Sequence, residues 1–144
     1  MAEIRACIAS DFEQILFLLQ LLWPDKALCH KRLRAVYDNA LASDTQHYLC
    51  AVDQDRIVGF CSVSLRNNLR VEGALANLDE MVVSQADRSR GIGSQLLQAV
   101  IAFAREQGCT QIELESAFHR LETHAFYERR GFQKRAYHFS QPLD

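Results

Sequence analysis

Apolar positions along the chain change period several times, and each change predicts an element. Residues 4–8 read as a short opening strand. Ser10 followed three positions later by Glu13 has the pattern of a capping box, in which hydroxyl and carboxylate each accept from a free backbone N–H. Phe12, Ile15, Leu16, Leu19 and Leu22 then recur at helical spacing until Pro24. Leu33, Val36, Tyr37, Ala40 and Leu41 mark a second helix. Residues 48–52 and 57–65 form a hairpin pattern turning at 53–56, with Gly59 hinting at a bulge. Residues 78–83 predict another strand. Ile92, Leu96, Leu97, Val100, Ile101 and Ala104 predict a long amphipathic helix ended by Gly108. A strand over 111–115, a helix over 121–130 closed by Gly131, and a last strand over 132–139 complete the chain. The order β α α β β β α β α β predicts an α/β chain: a mixed sheet with helices on both faces.

Composition adds limits to this pattern. The 144 residues, with no repeat, linker or run of like charge, predict one domain over 1–144. A formal charge of −2 argues against general nucleic-acid affinity, which needs a basic face. The most apolar segment, 15–23, contains Gln20 and is far too short to span a bilayer, so no membrane partner is expected. Cys7, Cys29, Cys50, Cys61 and Cys109 form no CxxC pair and are odd in number, which suits free thiols in a reducing compartment. The N-terminus has no basic region followed by an apolar stretch. A cytoplasmic protein is the expectation. His30, His47, His119 and His138 show no metal-ligand spacing, so no metal is expected.

The most informative segment joins the 78–83 strand to the longest helix. Helix N-termini carry free N–H donors and partial positive charge, which suit a phosphate. Gly91 and Gly93 remove side chains where a backbone must approach a ligand closely, and Arg88 and Arg90 add charge. There is no GxxxxGK[ST] P-loop, and no third glycine for a dinucleotide fingerprint. Physics alone leaves two readings: an anion site, or a tight glycine-rich turn into a helix.

The run Arg88-Ser89-Arg90-Gly91-Ile92-Gly93 after an apolar strand resembles motif A of the GNAT superfamily of acyl-CoA-dependent N-acyltransferases, [RQ]-x-x-G-x-[GA]. Residues 4–22 resemble that family's first strand and helix, and residues 125–132 its motif B. The resemblance covers nearly the whole chain. It implies the GNAT fold with splayed central strands, and acetyl-CoA as co-substrate. Backbone N–H groups of Arg88, Ser89, Arg90, Gly91, Ile92, Gly93 and Ser94 would cradle the pyrophosphate. Met81, Val82 and Val83 would pair with the pantetheine arm as an added strand does, with Val82 N–H as the oxyanion donor. Leu22-Trp23-Pro24 resembles some aminoglycoside 6′-N-acetyltransferases. The 46–49 and 80–83 runs and the C-terminal run resemble aminoalkylphosphonate N-acetyltransferases. The resemblance therefore implies transfer of an acetyl group to a small primary amine. A peptide acceptor or a non-catalytic acyl-CoA sensor are the alternatives, and a homodimer is common among relatives.

Amine acetylation requires a neutral amine, hence a base, and a proton for the departing thiolate. Asp79 and Glu80 precede the pantetheine stretch. Strand alternation points only one of them to a given face unless a bulge intervenes. The acidic pair of polyamine acetyltransferases favours Asp79 as base, with Glu80 as its rival. Tyr127 stands where the family's general-acid tyrosine precedes its Gly-Phe, although Arg120 and Thr123 depart from the usual Asn and Ala. His124 on the same helix face could assist. Glu113 and Glu115 on one strand face could meet a cationic amine or simply face solvent.

Overall fold

The computed structural model describes residues 2–143, in two compact units, one ending at Glu113 and the other beginning at Leu114. The first holds β1 (Glu3–Ala6), α1 (Phe12–Leu22), α2 (His30–Leu41), β2 (Gln46–Asp53), β3 (Arg56–Asn68), β4 (Gly73–Val83) and α3 (Ile92–Glu106). β5 (Gln111–Leu114) ends at the boundary. The sheet order is β1-β2-β3-β4-β5. The first three pairings are antiparallel, and α3 is the crossover that makes the sheet mixed. β4 meets β5 over a short stretch only, near the bond from Thr110 N–H to the Ala74 carbonyl (3.2 Å). Among the described residues no helix is long and apolar enough to cross a membrane.

Both sheet faces are covered. On one, Phe12, Ile15, Leu18 and Leu19 of α1 and Tyr37 of α2 pack with Cys50, Phe60 and Val82. Each large apolar side chain removed from water there stabilises the fold by about 1.5–3 kcal/mol. α3 covers the other face, approaching β3 so closely that a Cβ on Gly59 would lie 3.0 Å from Leu96 Cδ1 and 3.1 Å from Ile92 Cγ2. Gly59 thus seats the start of α3. The bulge it hinted at lies beside it: Ala51 pairs with Gly59 and Val52 with Ile57, which leaves Val58 as the extra residue. The hairpin turns at Gln54 and Asp55, both left-handed (φ 51° and 64°), as two-residue hairpin turns require.

Several expectations need correction. β1 stops at Ala6, and Ser10 lies inside a single 3-10 turn, Ala9–Asp11. The expected Ser10–Glu13 box is absent. Asp11, held by two bonds from the Arg5 guanidinium (2.8 and 3.0 Å), accepts from Ile8 N–H (2.8 Å), while Glu13 turns to His30 Nε2 (2.7 Å). A buried Asp with an arginine partner outcompetes an exposed Ser and Glu for the helix entry. α2 begins three residues before its first periodic leucine, and β4 begins at Gly73, five residues before the predicted start.

The second unit contains α4 (Leu121–Glu128), followed by left-handed Gly131 (φ 93°). Tyr127 is buried, its ring edge-on to Phe126 (5.2 Å) and Phe132 (5.5 Å). The last strand expected over 132–139 is not formed: residues 132–143 have no regular structure. Alternation makes a strand only where another edge supplies backbone partners. This segment is instead engaged through side chains, with Lys134 on Glu128 (3.6 Å) and His138 on Glu115 (3.4 Å).

Candidate active site

Beyond Val83 the chain makes one 3-10 turn, Gln85–Asp87, and then a loop into α3. Ser89 (φ 70°) and Gly91 (φ 78°) are both left-handed. Successive backbone N–H groups at a tight turn into a helix N-terminus can form an anion-binding concavity. Gly91 is the N-cap of the 15-residue α3, and no side chain caps the helix there. Ile92 is buried, so its side chain serves the core and only its backbone belongs to the loop. Gly93 and Ser94 lie in the first helical turn. The loop suits a diphosphate: the helix end is positive and carries N–H donors, and Arg88 is exposed, with Nε 3.4 Å from the Val83 carbonyl.

Arg90 behaves differently from Arg88. Its Nη2 lies 2.7 Å from Asp53 Oδ2, and its Nη1 donates to Asp87. Arg56 reaches the same Asp87 carboxylate (3.3 and 3.5 Å). The Asp87 side chain is 4% exposed. Burial alone would push its carboxyl up, but bonds from Arg90, Arg56 and Ser84 prevail and hold it below the ordinary carboxylate value.

The carboxylate pair sits on a second bulge. Val63 pairs with Leu78 and Ser62 with Glu80, so Asp79 is the extra residue and simple alternation fails there. Asp79 is exposed and accepts from Asn77 Nδ2 (2.7 Å). Glu80 is half-buried. Its carboxylate accepts a short bond from the Ser62 hydroxyl, whose oxygen in turn accepts from Glu80 N–H (3.0 Å). Burial pushes the Glu80 carboxyl up, the Ser62 bond pulls it partly back, and the charge of Asp79 pushes it up again. Tyr48, opposite Ser62 on β2, completes a row across three strands. Its ring packs on Phe60 (5.4 Å) and Tyr37 (5.6 Å). Its phenol is pushed up to about 12, by burial first and then by the charges of Glu80 and Asp79. Neither Ser62 nor Tyr48 stood out in the sequence as a site residue. The signal that finds them is the register of β2 and β3 against β4.

The backbone of β4 orders its own donors. Glu80 N–H turns toward β3, and Ser84 N–H donates to the Val58 carbonyl (2.8 Å) on the same side. Strand alternation therefore turns Val82 N–H toward β3 as well, which corrects its expected role as oxyanion donor. The N–H groups of Met81 and Val83 point to the opposite edge of β4.

The first unit thus brings together Asp79 to Val83 and Arg88 to Ser94. Tyr127 belongs to the second unit. Other expected residues have partners already. Glu113 accepts from Arg70 (2.6 Å) and Gln111 (2.7 Å), Glu115 faces His138, and His124 Nε2 lies 2.8 Å from the Ala117 carbonyl. Cys7, Asp11 and Cys50 bring potential ligand atoms within 4.8 Å of one another. The Asp11 carboxylate there is bound to Arg5, a cation standing where a metal would need an open ligand.

Comparison with known proteins agrees with this geometry. The profile of the Acetyltransferase (GNAT) family matches residues 14–132, a stretch that runs through both units. The chain is 27% identical over 141 residues to an aminoalkylphosphonate N-acetyltransferase of Salmonella typhimurium, covering 98% of this chain and 91% of that protein. It is 27% identical over 129 residues to an aminoglycoside N(6′)-acetyltransferase type 1 of Stenotrophomonas maltophilia, covering 85% and 82%. The crystal structure of a transcriptional regulator from Bacillus halodurans C-125 matches with a TM-score of 0.88 at 25% identity, covering 99% of this chain and 100% of that one. With the fold, the uncapped helix entry and the profile match in agreement, the chain belongs to the GNAT acetyltransferase family and is an acetyl-transferring enzyme.

Proposed function

We propose that the chain moves the acetyl group of acetyl-CoA onto the primary amine of a small molecule, with Glu80 as the base. The observation that carries this reading is the half-buried Glu80 carboxylate, bonded to Ser62 beside the backbone donors of Met81 and Val83. GNAT acetyltransferases use acetyl-CoA as co-substrate, and the loop from Arg88 to Ser94 suits its pyrophosphate. The small-amine class is supported by the two relatives named above.

A primary ammonium has an unperturbed pKa of about 10, so at neutral pH it must lose a proton before its lone pair can attack. A carboxylate made more basic by burial, as Glu80 is, narrows that gap. Glu80 first takes a proton from the ammonium, and the lone pair of the neutral amine then forms the C–N bond at the thioester carbon. Met81 N–H, on the side of β4 away from β3, donates to the oxyanion. The C–S bond then breaks, Tyr127 donates its proton to the thiolate, a role resting on its motif, and the nitrogen of the new amide releases its second proton to water. Another proton source would blunt the loss in Tyr127→Phe. An effect under about threefold, with chemistry rate-limiting, removes Tyr127 from the mechanism.

The test is a screen of primary amines, with aminoalkylphosphonates, aminoglycosides and lysine peptides among them, read by release of the coenzyme A thiol. Turnover of a small amine above every peptide is the expected result. Acetylation confined to peptides, or acetyl-CoA binding without thiol release for any amine, would overturn the reading.

A further inference from the structure

Two arginines flank the phosphate loop, and the structure treats them unequally. Arg88 carries no ion pair among the described salt bridges, whereas Arg90 is shared between Asp53 and Asp87. Asp53 ends β2, Arg56 begins β3, and Asp87 closes the turn before the loop. These four charged groups join the β2–β3 turn to the loop, with Asp87 buried at the junction. The loop needs such a restraint. Ser89 holds a left-handed conformation without being glycine, and conformations of that kind persist only where the surroundings impose them.

We propose that Asp53 and Asp87 form a latch on Arg90 that sets the loop in the conformation receiving the coenzyme's pyrophosphate, so that the Arg90 side chain is a positioning residue and not a phosphate ligand. The proposal rests on the reading of Arg88 to Ser94 as the phosphate site. It makes a prediction opposite in sign to simple electrostatics. Removing a negative charge near a phosphate site tightens anion binding by Coulomb's law, and more so if it releases an arginine to the ligand. If Asp53 is half of a latch, its removal instead loosens the donor array and weakens binding.

The decisive variant is Asp53→Asn, which nearly preserves shape and leaves buried Asp87 in place. Acetyl-CoA and S-acetylpantetheine, which carries the thioester and pantetheine but no pyrophosphate, are compared by calorimetry or competition. Acetyl-CoA is expected to bind about tenfold more weakly, the scale that a small misplacement of binding groups costs. S-acetylpantetheine should be unaffected. Asp53→Asn/Arg90→Gln should bind acetyl-CoA no more weakly than Arg90→Gln alone, since both changes open one latch. Unchanged or tighter acetyl-CoA binding in Asp53→Asn overturns the proposal. So does a parallel loss of both ligands, which reports general damage to the fold. Gly91→Val separates the two levels of inference. If it leaves acetyl-CoA affinity unchanged, the phosphate-site reading fails and the latch with it. If it abolishes binding while Asp53→Asn does not weaken it, only the latch falls.

Discussion

Glu80 and Asp87 are carboxylates seven residues apart, both withdrawn from solvent, and they are held in opposite protonation tendencies. Glu80 meets burial, a neutral hydroxyl and the like charge of Asp79, and is pushed up. Asp87 meets two guanidinium groups and is held down despite its burial. Burial by itself is therefore not the determinant of chemistry here. The charge of the donor is. A carboxylate bonded by a hydroxyl keeps an appetite for protons and suits base catalysis. One bonded by arginines is a permanent anion and suits an anchor. The comparison assigns proton chemistry to the β2-β3-β4 row, and architecture to the turn before α3.

The largest expected effect tests the first half of that contrast. Glu80→Gln should lower kcat/KM by about 10²–10⁴-fold, the usual contribution of a general base. Asp79→Asn should stay within about threefold, because its carboxylate is exposed and bonded to Asn77, outside the row of Tyr48, Ser62 and Glu80. The wild-type kcat/KM should fall on the acid side through a group titrating above the ordinary carboxylate range, and that limb should vanish in Glu80→Gln. Comparable losses at both positions, measured with the amine that the screen identifies, would leave the base unassigned between the two carboxylates.

The second half is tested by stability against pH. The Asp87 carboxyl is held below its ordinary value of about 4, so its contribution is present above that pH and is lost as pH falls through the folded-state value. Asp87→Asn should therefore melt several degrees below the wild type at pH 7, with the gap closing in acid. Glu80 is raised in the fold, so its contribution is present below about pH 4 and is lost as pH rises through the folded-state value. Glu80→Gln should then gain melting temperature relative to the wild type as pH rises from 4 to 8. Parallel trends for the two variants in thermal melts would erase the distinction.

How much of this was readable beforehand follows from the distance between interacting residues. The loop proposed for the pyrophosphate is contiguous, so the glycines, the preceding strand and the following helix can be read together. The row Tyr48–Ser62–Glu80 joins three strands through residue pairs 14 and 18 positions apart in sequence, which no local pattern encodes. The bulge at Asp79 was equally hidden. A single extra residue between Ser62 and Val63 pairings moved the favoured base by one position, without changing any hydrophobic periodicity. The same reasoning explains the latch, because Asp53 and Arg90 lie 37 residues apart. At the C-terminal end, the strand expected over 132–139 does not form, and no strand partner meets the segment among the described residues. At the other end, the Ser10–Glu13 box lost to Asp11 because Arg5, on the neighbouring strand, was not part of the local pattern.

The smallest expected effect isolates the hydroxyl that makes Glu80 different from Asp87. In Ser62→Ala the short donor to Glu80 Oε1 is gone, and Glu80 N–H loses its acceptor. Since that bond pulls the Glu80 carboxyl downward, its removal leaves burial and Asp79 unopposed, and the carboxyl rises further. The charged and titratable neighbours that remain are Asp79 and the Tyr48 phenol, which is already pushed up to about 12 and stays neutral through the assay range. The acid limb of kcat/KM should therefore move to higher pH. The loss at the pH optimum should be about two- to tenfold, the rate equivalent of one hydrogen bond. A residue that merely fills space between β2 and β4 would behave otherwise: Ser62→Ala would lower kcat/KM by the same factor at every pH and leave the limb in place. A limb that stays fixed would show that Ser62 does not tune Glu80. The contrast between the two carboxylates would then rest on burial and the arginines alone.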